Sequence, residues 1–293
     1  MSSTEDVFPD TADMDLWDDS RILMEMLKGQ QRAIMAVQAA LPQIAHAARL
    51  AAERLQHGGR LVYAGAGSSI ALGVLDGAEL PGTFGFRRER ILFLIAGGTG
   101  SLTDIDGLAE DDETAGAAAA NALTKADTLI TLSASGRTPY TLAVARAATA
   151  KGCLVIGIAN TASAPLLALA DAPILSPTGP EFIDGSTRLG AGTAQKVTLN
   201  LLSTLINIKL GATHAGLMVG LQASNAKLRN RARTVVAKIT GLGEDQALAV
   251  LDAAGGDIKV AALMGLGAAD RAAAESQLKA VHGRLRAAID GLK

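Results

Sequence analysis

The sequence predicts a doubly wound α/β protein built on a mostly parallel five-stranded sheet, with further helices at both ends of the chain. Short apolar runs alternate with helical segments through its middle. Strands that are apolar on both faces are typical of a parallel sheet covered by helices on each side. Aromatic residues make up only 3% of the chain and there are 32 glycines, which favours close packing of helices on the sheet. The strand pattern does not repeat, so we expect one α/β domain.

The N-terminal segment changes from no pattern to a helical one. Residues 1–18 are acidic and polar without apolar periodicity, and we predict an extended arm there. From residue 19 to residue 57 the apolar positions recur at helical spacing, with a break expected at Pro42, which predicts two helices. The pair Gly58-Gly59 should end the second of them.

Five apolar runs are predicted to form the sheet, and everything after Gly185 is predicted to be helical. The strands are expected at 60–65, 91–96, 128–132, 154–158 and, more weakly, 173–175. The helices are expected at 70–80, 139–150, 188–211 and 213–240, followed by three short Ala-rich helices between 241 and 293 that form a small bundle.

Bulk composition argues against several classes of function. The formal net charge is −2 and the basic residues are scattered, so neither nucleic acid nor a membrane surface is an expected partner. No signal peptide or membrane span is predicted. The single cysteine, Cys153, lies in an apolar run and fits a reducing cytoplasm. The four histidines lack ligand spacing, so no metal site is expected.

Two loops that follow predicted strands carry the atoms of a phosphate site. The first contains Ser68 and Ser69 after Gly65-Ala-Gly67. The second loop is Ser133-Ala-Ser135-Gly136-Arg137-Thr138, which leads into a helix at Pro139. Ligands of open α/β sheets bind at the carboxyl ends of strands, where helix N-termini favour anions. Hydroxyls that merely cap helices would give the same local pattern. Neither loop matches the dinucleotide or P-loop motifs.

At this point the sequence resembles a known family. The segment Ser133-Ala-Ser-Gly-Arg-Thr-Pro-Tyr140 resembles the phosphosugar signature of SIS (sugar isomerase) domains, which are flavodoxin-like αβα sandwiches. Other stretches are similar to the N-acetylmuramic acid 6-phosphate etherases within that superfamily, in register from about residue 58 to residue 240. They include Leu75-Asp-Gly-Ala-Glu-Leu-Pro-Gly-Thr-Phe-Gly85, Ala109-Glu-Asp111, Thr178-Gly-Pro-Glu181, Gly185-Ser-Thr-Arg188 and Ala191-Gly-Thr-Ala-Gln-Lys196.

The resemblance implies three parts: an arm with helices at 1–57, a sugar-phosphate-binding SIS domain at 58–240, and a UBA-like helical domain at 241–293. It implies cleavage of the D-lactyl ether of N-acetylmuramic acid 6-phosphate to N-acetylglucosamine 6-phosphate and D-lactate, in recycling of cell-wall amino sugars. It also implies a cytoplasmic homodimer that needs no metal or organic cofactor.

The family's two acidic positions fall on Glu79 and Glu110. By resemblance Glu79 is the proton donor and Glu110 the second acid/base group. The residues predicted to hold the substrate and its phosphate are Ser68, Ser69, Ser133, Ser135, Gly136, Thr138, Ser186 and Lys196. Among these, Lys196 lies near a helix start, where a solvated side chain is an equal alternative. From the residues alone, the favoured interpretation of both glutamates is an ordinary exposed side chain, because charge runs usually face solvent, and only the resemblance reverses it. Arg188 and Glu181 are weaker candidates for the site.

The sequence departs from the family pattern at Ile70, Ala71 and Gly107, and these changes bear on the identity of the substrate. Two other readings stay open at this stage. A sugar-phosphate sensor without catalysis would share the loops but has no need of both acids. An aldose–ketose phosphate isomerase would share the loops and a single general base.

Overall fold

A computed structural model of the protein describes residues 4, 13–104, 107–221 and 225–292. The chain divides into two compact units. The first comprises residues 1–77 and 89–203, and the second comprises residues 78–88 and 204–293. Most of the predicted arm, residues 1–12 apart from Thr4, lies outside the described residues, and the remainder contains a 3-10 turn at Met14–Leu16 rather than extended chain only. The predicted division at residues 57 and 240 stays a prediction about domains.

The first unit is built on an all-parallel five-stranded sheet, as the apolar runs predicted. Its strands lie in the order β2-β1-β3-β4-β5, the doubly wound order of flavodoxin-like folds. The strands are β1 Leu61–Gly65, β2 Ile91–Ile95, β3 Thr128–Leu132, β4 Leu154–Ala159 and β5 Ala172–Leu175. The central strand β1 pairs with β2 from Leu61 opposite Ile91, and with β3 up to Gly65 opposite Leu132.

Helices cover both faces of this sheet because alternate strand residues are apolar on each face. On one face Val62, Leu129 and Val155 pack against the helices that precede and follow β3 and β4. The opposite face packs against the N-terminal helix. The helices of this unit, two of which continue into the second unit, are α1 Asp19–Gln56, α2 Gly67–Phe84, α3 Gly107–Glu110, α4 Glu113–Ala119, α5 Pro139–Ala150, α6 Pro165–Leu169 and α7 Gly190–Lys209.

Helix α2 approaches the sheet closely because glycines face it. A Cβ atom added at Gly77 would lie 2.7 Å from the ring of Phe93 and 2.9 Å from that of Tyr63. At Gly73 it would lie 3.1 Å from Leu132 and 3.3 Å from Tyr63. A side chain at Gly77 would force a shift of the two rings, and one at Gly73 would need its neighbours to move by a few tenths of an ångström, so the two glycines allow the helix to lie near β1, β2 and β3.

The prediction of two N-terminal helices is wrong. Residues Asp19–Gln56 form one continuous helix of 38 residues with Pro42 inside it. Proline in a helix interior removes one backbone hydrogen bond and crowds the preceding turn, but it need not end the helix. Pro42 is exposed, whereas Val37, Ile44 and Leu55 are buried on the other face. Packing of that face on both sides of the proline holds the helix together.

The prediction that residues 213–240 form one helix is also wrong. Thr213–His214 (β6) and Leu217–Met218 (β7) form a short antiparallel hairpin. Its turn places Ala215 at φ 49° and Gly216 at φ 77°, the conformation of a two-residue hairpin turn rather than of a helix. The helix α8 spans Ala226–Thr240 only, and Gly241 ends it at φ 77°.

The C-terminal tail contains four helices, not the predicted three. They are α9 Glu244–Ala253, α10 Ile258–Gly265, α11 Arg271–Ala280 and α12 Leu285–Asp290. Gly267 with Asp270 and His282 with Gly283 separate the last three. Buried side chains of α8 and of the tail share one apolar core, including Val236, Leu251 and Leu263. No helix in the described ranges is long and apolar enough to cross a membrane.

Candidate functional site

The carboxyl ends of three neighbouring strands bring the predicted loops together in the first unit. Gly65 at the end of β1 lies opposite Ile95 of β2 and Leu132 of β3. A Cβ atom added at Gly65 would lie 2.8 Å from the carbonyl oxygen of Leu132. Because the ends of the strands are this close, the loop after β1 and the loop after β3 form adjacent walls of one site.

The first loop presents two hydroxyls at the start of a helix. Gly67, at φ 52°, turns the chain into α2, and Ser68 and Ser69 occupy the first turn of that helix, both half-buried. Neither hydroxyl has a hydrogen-bond partner among the residues that the structure describes. The first turn of a helix also has backbone N–H groups without intrahelical acceptors. These atoms are suited to receive an anion.

Ile70 and Ala71 do not affect this loop in the same way. Ile70 is only 1% exposed, and its side chain lies 3.4 to 3.5 Å from the positions that Cβ atoms at Gly65 and Gly73 would take. Its extra bulk therefore fills the core under the loop and does not narrow the ligand side. Ala71 is partly exposed. The expectation that Ile70 bears on substrate identity is thereby corrected.

The second loop is shaped by its own hydroxyls. Ser133 is buried, and its Oγ accepts a hydrogen bond from Gly136 N at 3.0 Å and lies 2.9 Å from Thr138 Oγ1. Ser135 Oγ accepts from Arg137 N at 3.2 Å. Gly136 has φ 65°, and a Cβ atom there would lie 2.2 Å from Ala164 Cβ. The hydroxyls of Ser133 and Ser135 thus stabilise the turn, as the capping interpretation expected. Ser135 and Thr138 nevertheless stay partly exposed.

The loop leads directly into α5, and the first turn of this helix has no side-chain cap. Thr138 is the N-cap residue but makes no side-chain cap hydrogen bond, and Pro139 begins the helix. The N–H groups that a cap would satisfy are left for another acceptor. A phosphate at this position gains those donors and the positive end of the helix dipole.

Glu110 lies beside the first loop. It ends the four-residue helix α3, and a Cβ atom at Gly67 would lie 2.6 Å from its Oε1 atom. Only a glycine at residue 67 allows the carboxylate so near the backbone. Burial raises the pKa of Glu110, and the charge of Asp111 raises it further. A carboxylate with a raised pKa beside an anion-binding loop is typical of a general acid or base.

Glu79 and Ser186 are two further residues that the sequence assigns to the site. Glu79 is an exposed residue on α2 and belongs to the second unit. Ser186 lies in the turn before α7, where its N–H donates to Ile183 O at 2.9 Å, and it is partly exposed. Ser186 makes no contact with Glu110 or the two loops among the contacts that the structure describes. The assignments of Glu79 and Ser186 stay predictions.

Glu181 has a structural role that the sequence did not reveal. Its two carboxylate oxygens accept hydrogen bonds from Gly190 N and Ala191 N, each at 2.8 Å, and the residue is 3% exposed. A carboxylate in this position caps the N-terminus of α7 and complements the helix dipole. Arg188, the other weak candidate, is exposed in the turn that precedes this helix.

Lys196 is an exposed residue on α7, and a buried polar group lies behind it. Its Nζ atom donates to Asn200 Oδ1, and Asn200 Nδ2 donates to Asp76 Oδ1 at 3.2 Å. Asp76 is buried in α2 and also accepts from Tyr63 and Ser203. The sequence analysis missed Asp76. Its one signal was a carboxylate directly before Gly77, on the face of α2 that packs on the sheet.

A second buried polar group supports the second loop and was also missed. Asn160 follows β4, and its N–H donates to Ala134 O at 2.9 Å. Its side chain donates to Ser176 O at 2.9 Å and accepts from Gln195 Nε2 at 3.1 Å. Both amide side chains are at most 1% exposed. They connect the loop, the end of β5 and α7, which makes the loop's position part of the folded core.

No cluster of three or more histidine, cysteine, aspartate or glutamate side chains within the described ranges is arranged to hold a metal ion. His214, read as part of a helix, lies instead on β6.

The sheet order and the loop after β3 define a protein of the SIS class, and the family model of the SIS domain matches residues 28–160. That range includes both loops and Glu110. A crystal structure assigned as a phosphosugar isomerase involved in capsule formation, from Bacteroides fragilis, shares the fold with a TM-score of 0.50 and 18% identity. The match covers 67% of this chain and 94% of that one.

Similarity to curated proteins is much higher and extends over nearly the whole chain. An N-acetylmuramic acid 6-phosphate etherase of Deinococcus radiodurans is 47% identical over 92% of this chain and 90% of its own length. Etherases of Streptomyces avermitilis, at 43% over 98% and 93%, and of Gloeobacter violaceus, at 42% over 99% and 95%, are similar as well. The chain belongs to the N-acetylmuramic acid 6-phosphate etherase family.

Proposed function

We propose that this protein is a lyase that cleaves the D-lactyl ether of N-acetylmuramic acid 6-phosphate, giving N-acetylglucosamine 6-phosphate and D-lactate. Membership of the etherase family supports the substrate. The position of Glu110, whose carboxylate lies against Gly67 of the first loop, is the observation that carries the reaction. A sugar-phosphate sensor without catalysis has no use for such an acid in that place.

The chemistry follows from where the groups lie. The phosphate is bound by the second loop and the open first turn of α5, with Ser68 and Ser69 as further donors. In the open-chain sugar the C2 proton is acidic, because it lies α to the aldehyde. Glu110 takes this proton, and its raised pKa makes it a stronger base than an exposed glutamate. The electron pair left at C2 expels the lactyl oxygen from C3.

Two steps remain after the C–H bond is broken. Glu79 donates a proton to the departing lactyl oxygen, the role that the family resemblance gives it, so that lactate leaves as the neutral alcohol rather than an alkoxide. Water then adds to C3 of the unsaturated aldehyde, and a proton returns to C2. The mechanism therefore uses Glu110 as the base and Glu79 as the acid.

We also propose that the protein acts as a cytoplasmic homodimer. A phosphorylated substrate and the free thiol of Cys153 fit a reducing cytoplasm. The dimer is supported by exposed apolar side chains on α1, which recur at helical spacing along one stripe: Leu23, Leu27, Ile34 and Leu41 are 65%, 51%, 50% and 46% exposed. Such a stripe is typical of a helix that packs against a partner. The mass of the protein in solution tests this point.

The test of the function is release of lactate from N-acetylmuramic acid 6-phosphate. The purified protein should release lactate stoichiometrically with N-acetylglucosamine 6-phosphate. Glu110→Gln keeps the size of the side chain but removes the base, and kcat should fall by roughly 100-fold or more. Glu79→Gln should lower kcat by a similar factor, because the leaving group loses its proton donor.

Matched controls separate chemistry from folding. Glu113→Gln changes an exposed acid three residues after Glu110, whose partner is Arg146 at 3.6 Å, and it should keep full activity. Glu53→Gln on α1, paired with Arg49, serves the same purpose for Glu79. A wild-type protein that binds the sugar phosphate but releases no lactate would be a sensor. Aldose–ketose interconversion without lactate would make it an isomerase.

A further inference from the structure

The buried carboxylate of Asp76 is an unusual feature of α2, because it lies within a helix face that otherwise packs glycine and apolar side chains on the sheet. It is 5% exposed. Tyr63 OH donates to its Oδ2 atom at 2.8 Å, and Ser203 Oγ and Asn200 Nδ2 donate to its Oδ1 atom at 2.9 and 3.2 Å. All three partners are neutral, although buried charges are usually paired with a cation.

A cation does lie one residue further out, and Asn200 connects it to the carboxylate. An ionised carboxylate only accepts hydrogen bonds, so Asn200 must turn its NH2 group toward Asp76. This orientation points the amide oxygen away from Asp76, where it accepts from the ammonium of Lys196. Burial raises the pKa of Asp76, while the three hydrogen bonds and the positive charge of Lys196 act in the lowering direction.

The geometry points to Asp76 as a positioning residue for the ether-cleaving site: through Asn200 it holds the ammonium of Lys196 in one place, where it binds an anionic group of the sugar phosphate. This inference rests on the proposed function and on the sequence-based prediction that Lys196 holds the substrate. Asp76 itself touches no substrate. Tyr63 and Ser203 hold the Asp76 carboxylate in one orientation. The carboxylate fixes the amide of Asn200, and the amide oxygen of Asn200 fixes the ammonium of Lys196 at the surface of α7.

The orientation argument predicts what an amide at residue 76 would do. In Asp76→Asn the new side chain can donate as well as accept, so Asn200 is free to turn its oxygen inward and its NH2 group toward Lys196. The Lys196 ammonium then loses its hydrogen-bond acceptor, and this substrate-binding side chain becomes mobile. We expect KM for N-acetylmuramic acid 6-phosphate to rise about tenfold while kcat changes less than about threefold, because binding and not chemistry loses a contact.

Two further variants keep the test decisive if Asp76→Asn folds poorly. Asn200→Ala removes the connection while Asp76 keeps Tyr63 and Ser203, and it should raise KM by a similar factor. The double variant Asp76→Asn with Asn200→Asp exchanges acid and amide, so that the carboxylate at residue 200 accepts from Lys196 directly. This exchange should return KM to within about threefold of the wild-type value.

A purely structural role for Asp76 predicts a different outcome. It would lower the unfolding midpoint with KM unchanged, as expected for Asp127→Asn, the control at a buried aspartate that has no path to Lys196. In a Lys196→Ala background, Asp76→Asn should change KM no further if the two act through one contact. Additive effects, or an unchanged KM in both single variants of an active wild-type enzyme, would overturn the inference. A wild-type enzyme that releases no lactate would instead overturn the proposed function.

Discussion

The two ends of the parallel sheet in the first unit use polar side chains in opposite ways. At the amino end, Arg60 pairs with Asp127 at 2.6 Å, Arg54 donates to Gly152 O at 2.8 Å and Arg90 to Gly59 O at 3.0 Å. These arginines and Asp127 are engaged by the protein's own backbone or by an opposite charge. At the carboxyl end, the hydroxyls of the first loop and the opening turn of α5 are left for an external acceptor.

The difference shows how one architecture separates stability from function. Arginine side chains tie the starts of the strands to the loops before them, and this contribution needs no ligand. The carboxyl end receives the start of a helix after each strand, so N–H groups and hydroxyls face the same side. Substitution of these arginines at the amino end should therefore lower the stability of the fold without changing activity. Loss of donors at the carboxyl end should change activity first.

The buried aspartates Asp76 and Asp127 differ in the same way, one near the site and one at the amino end of the sheet. Burial raises the pKa of Asp76, which neutral donors and the distant Lys196 only partly oppose. At Asp127 burial acts in the same direction, but hydrogen bonds from Arg60 and from Thr124 N, together with the charge of Arg60, hold the pKa below its usual range. Asp127 is thus a stabilising carboxylate, whereas Asp76 is kept despite an unfavourable environment.

The largest effect should come from two glycines with similar backbone angles at opposite ends of the sheet. Gly136 has φ 65° and no room for a Cβ atom, which would lie 2.2 Å from Ala164 Cβ. Gly152 has φ 74° and its nearest contact would be 3.8 Å away. Gly136→Ala should displace the phosphate loop and raise KM at least tenfold. Gly152→Ala should cost about 1 kcal/mol of unfolding free energy through backbone strain, with unchanged kinetics.

A compensating change checks that explanation. Adding Ala164→Gly to Gly136→Ala removes the atom that the new side chain meets, and the next contact would be 3.2 Å. KM in the steady-state lactate assay should then fall back toward the wild-type value. If the second substitution restores nothing, the loop is not displaced by this contact.

A smaller effect, on stability alone, is expected for Asp127→Asn. The change removes one charge of an ion pair in which the aspartate is buried and Arg60 is partly exposed, so we expect a loss of about 2 kcal/mol of unfolding free energy at neutral pH. KM and kcat should stay within about twofold of wild type. Urea unfolding monitored by circular dichroism, beside lactate assays, measures both quantities.

The pH dependence of that loss follows from the direction of the shift. A carboxylate with a lowered pKa stabilises the fold above the unfolded-state value of about 3.9, and this contribution disappears as the pH falls through the folded-state pKa. The stability difference between wild type and Asp127→Asn should therefore be constant near neutral pH and shrink below about pH 4. A difference that grows in acid would contradict the assignment.

The smallest predicted effect is a shift of the pH–rate profile. Glu110 acts as a base only when ionised, so kcat/KM should rise with pH through its raised pKa. Asp111→Asn removes the second cause of that shift, and the acid limb should move to lower pH by about half a unit. Glu113→Gln, the exposed neighbour, should leave the limb in place. Movement to higher pH would show that Asp111 does not act on Glu110 through its charge.

Much of the first unit was predictable because its strands are buried on both faces. The runs at 128–132 and 139–150 match β3 and α5 residue for residue, and the other strands differ by one residue at an end. Pro42, by contrast, was read as a break from a local rule, and packing on the opposite face outweighed that rule. The hairpin after Gly211 was missed because two-residue strands carry no periodicity.

The sequence by itself determined the parallel sheet, the two hydroxyl-bearing loops and the etherase family, since these depend on which residue types recur and at what spacing. Only the tertiary structure decided that Glu110 lies against Gly67, that Glu181 caps a helix, that Ile70 fills the core, and that Asp76 reaches Lys196 through Asn200. The physical reason is that each depends on which residues the folded chain brings into contact, whether they are 9 residues apart, as Glu181 and Gly190 are, or 124 apart, as Asp76 and Asn200 are. Burial and the direction of a hydrogen bond are set by such neighbours, and no local pattern contains them.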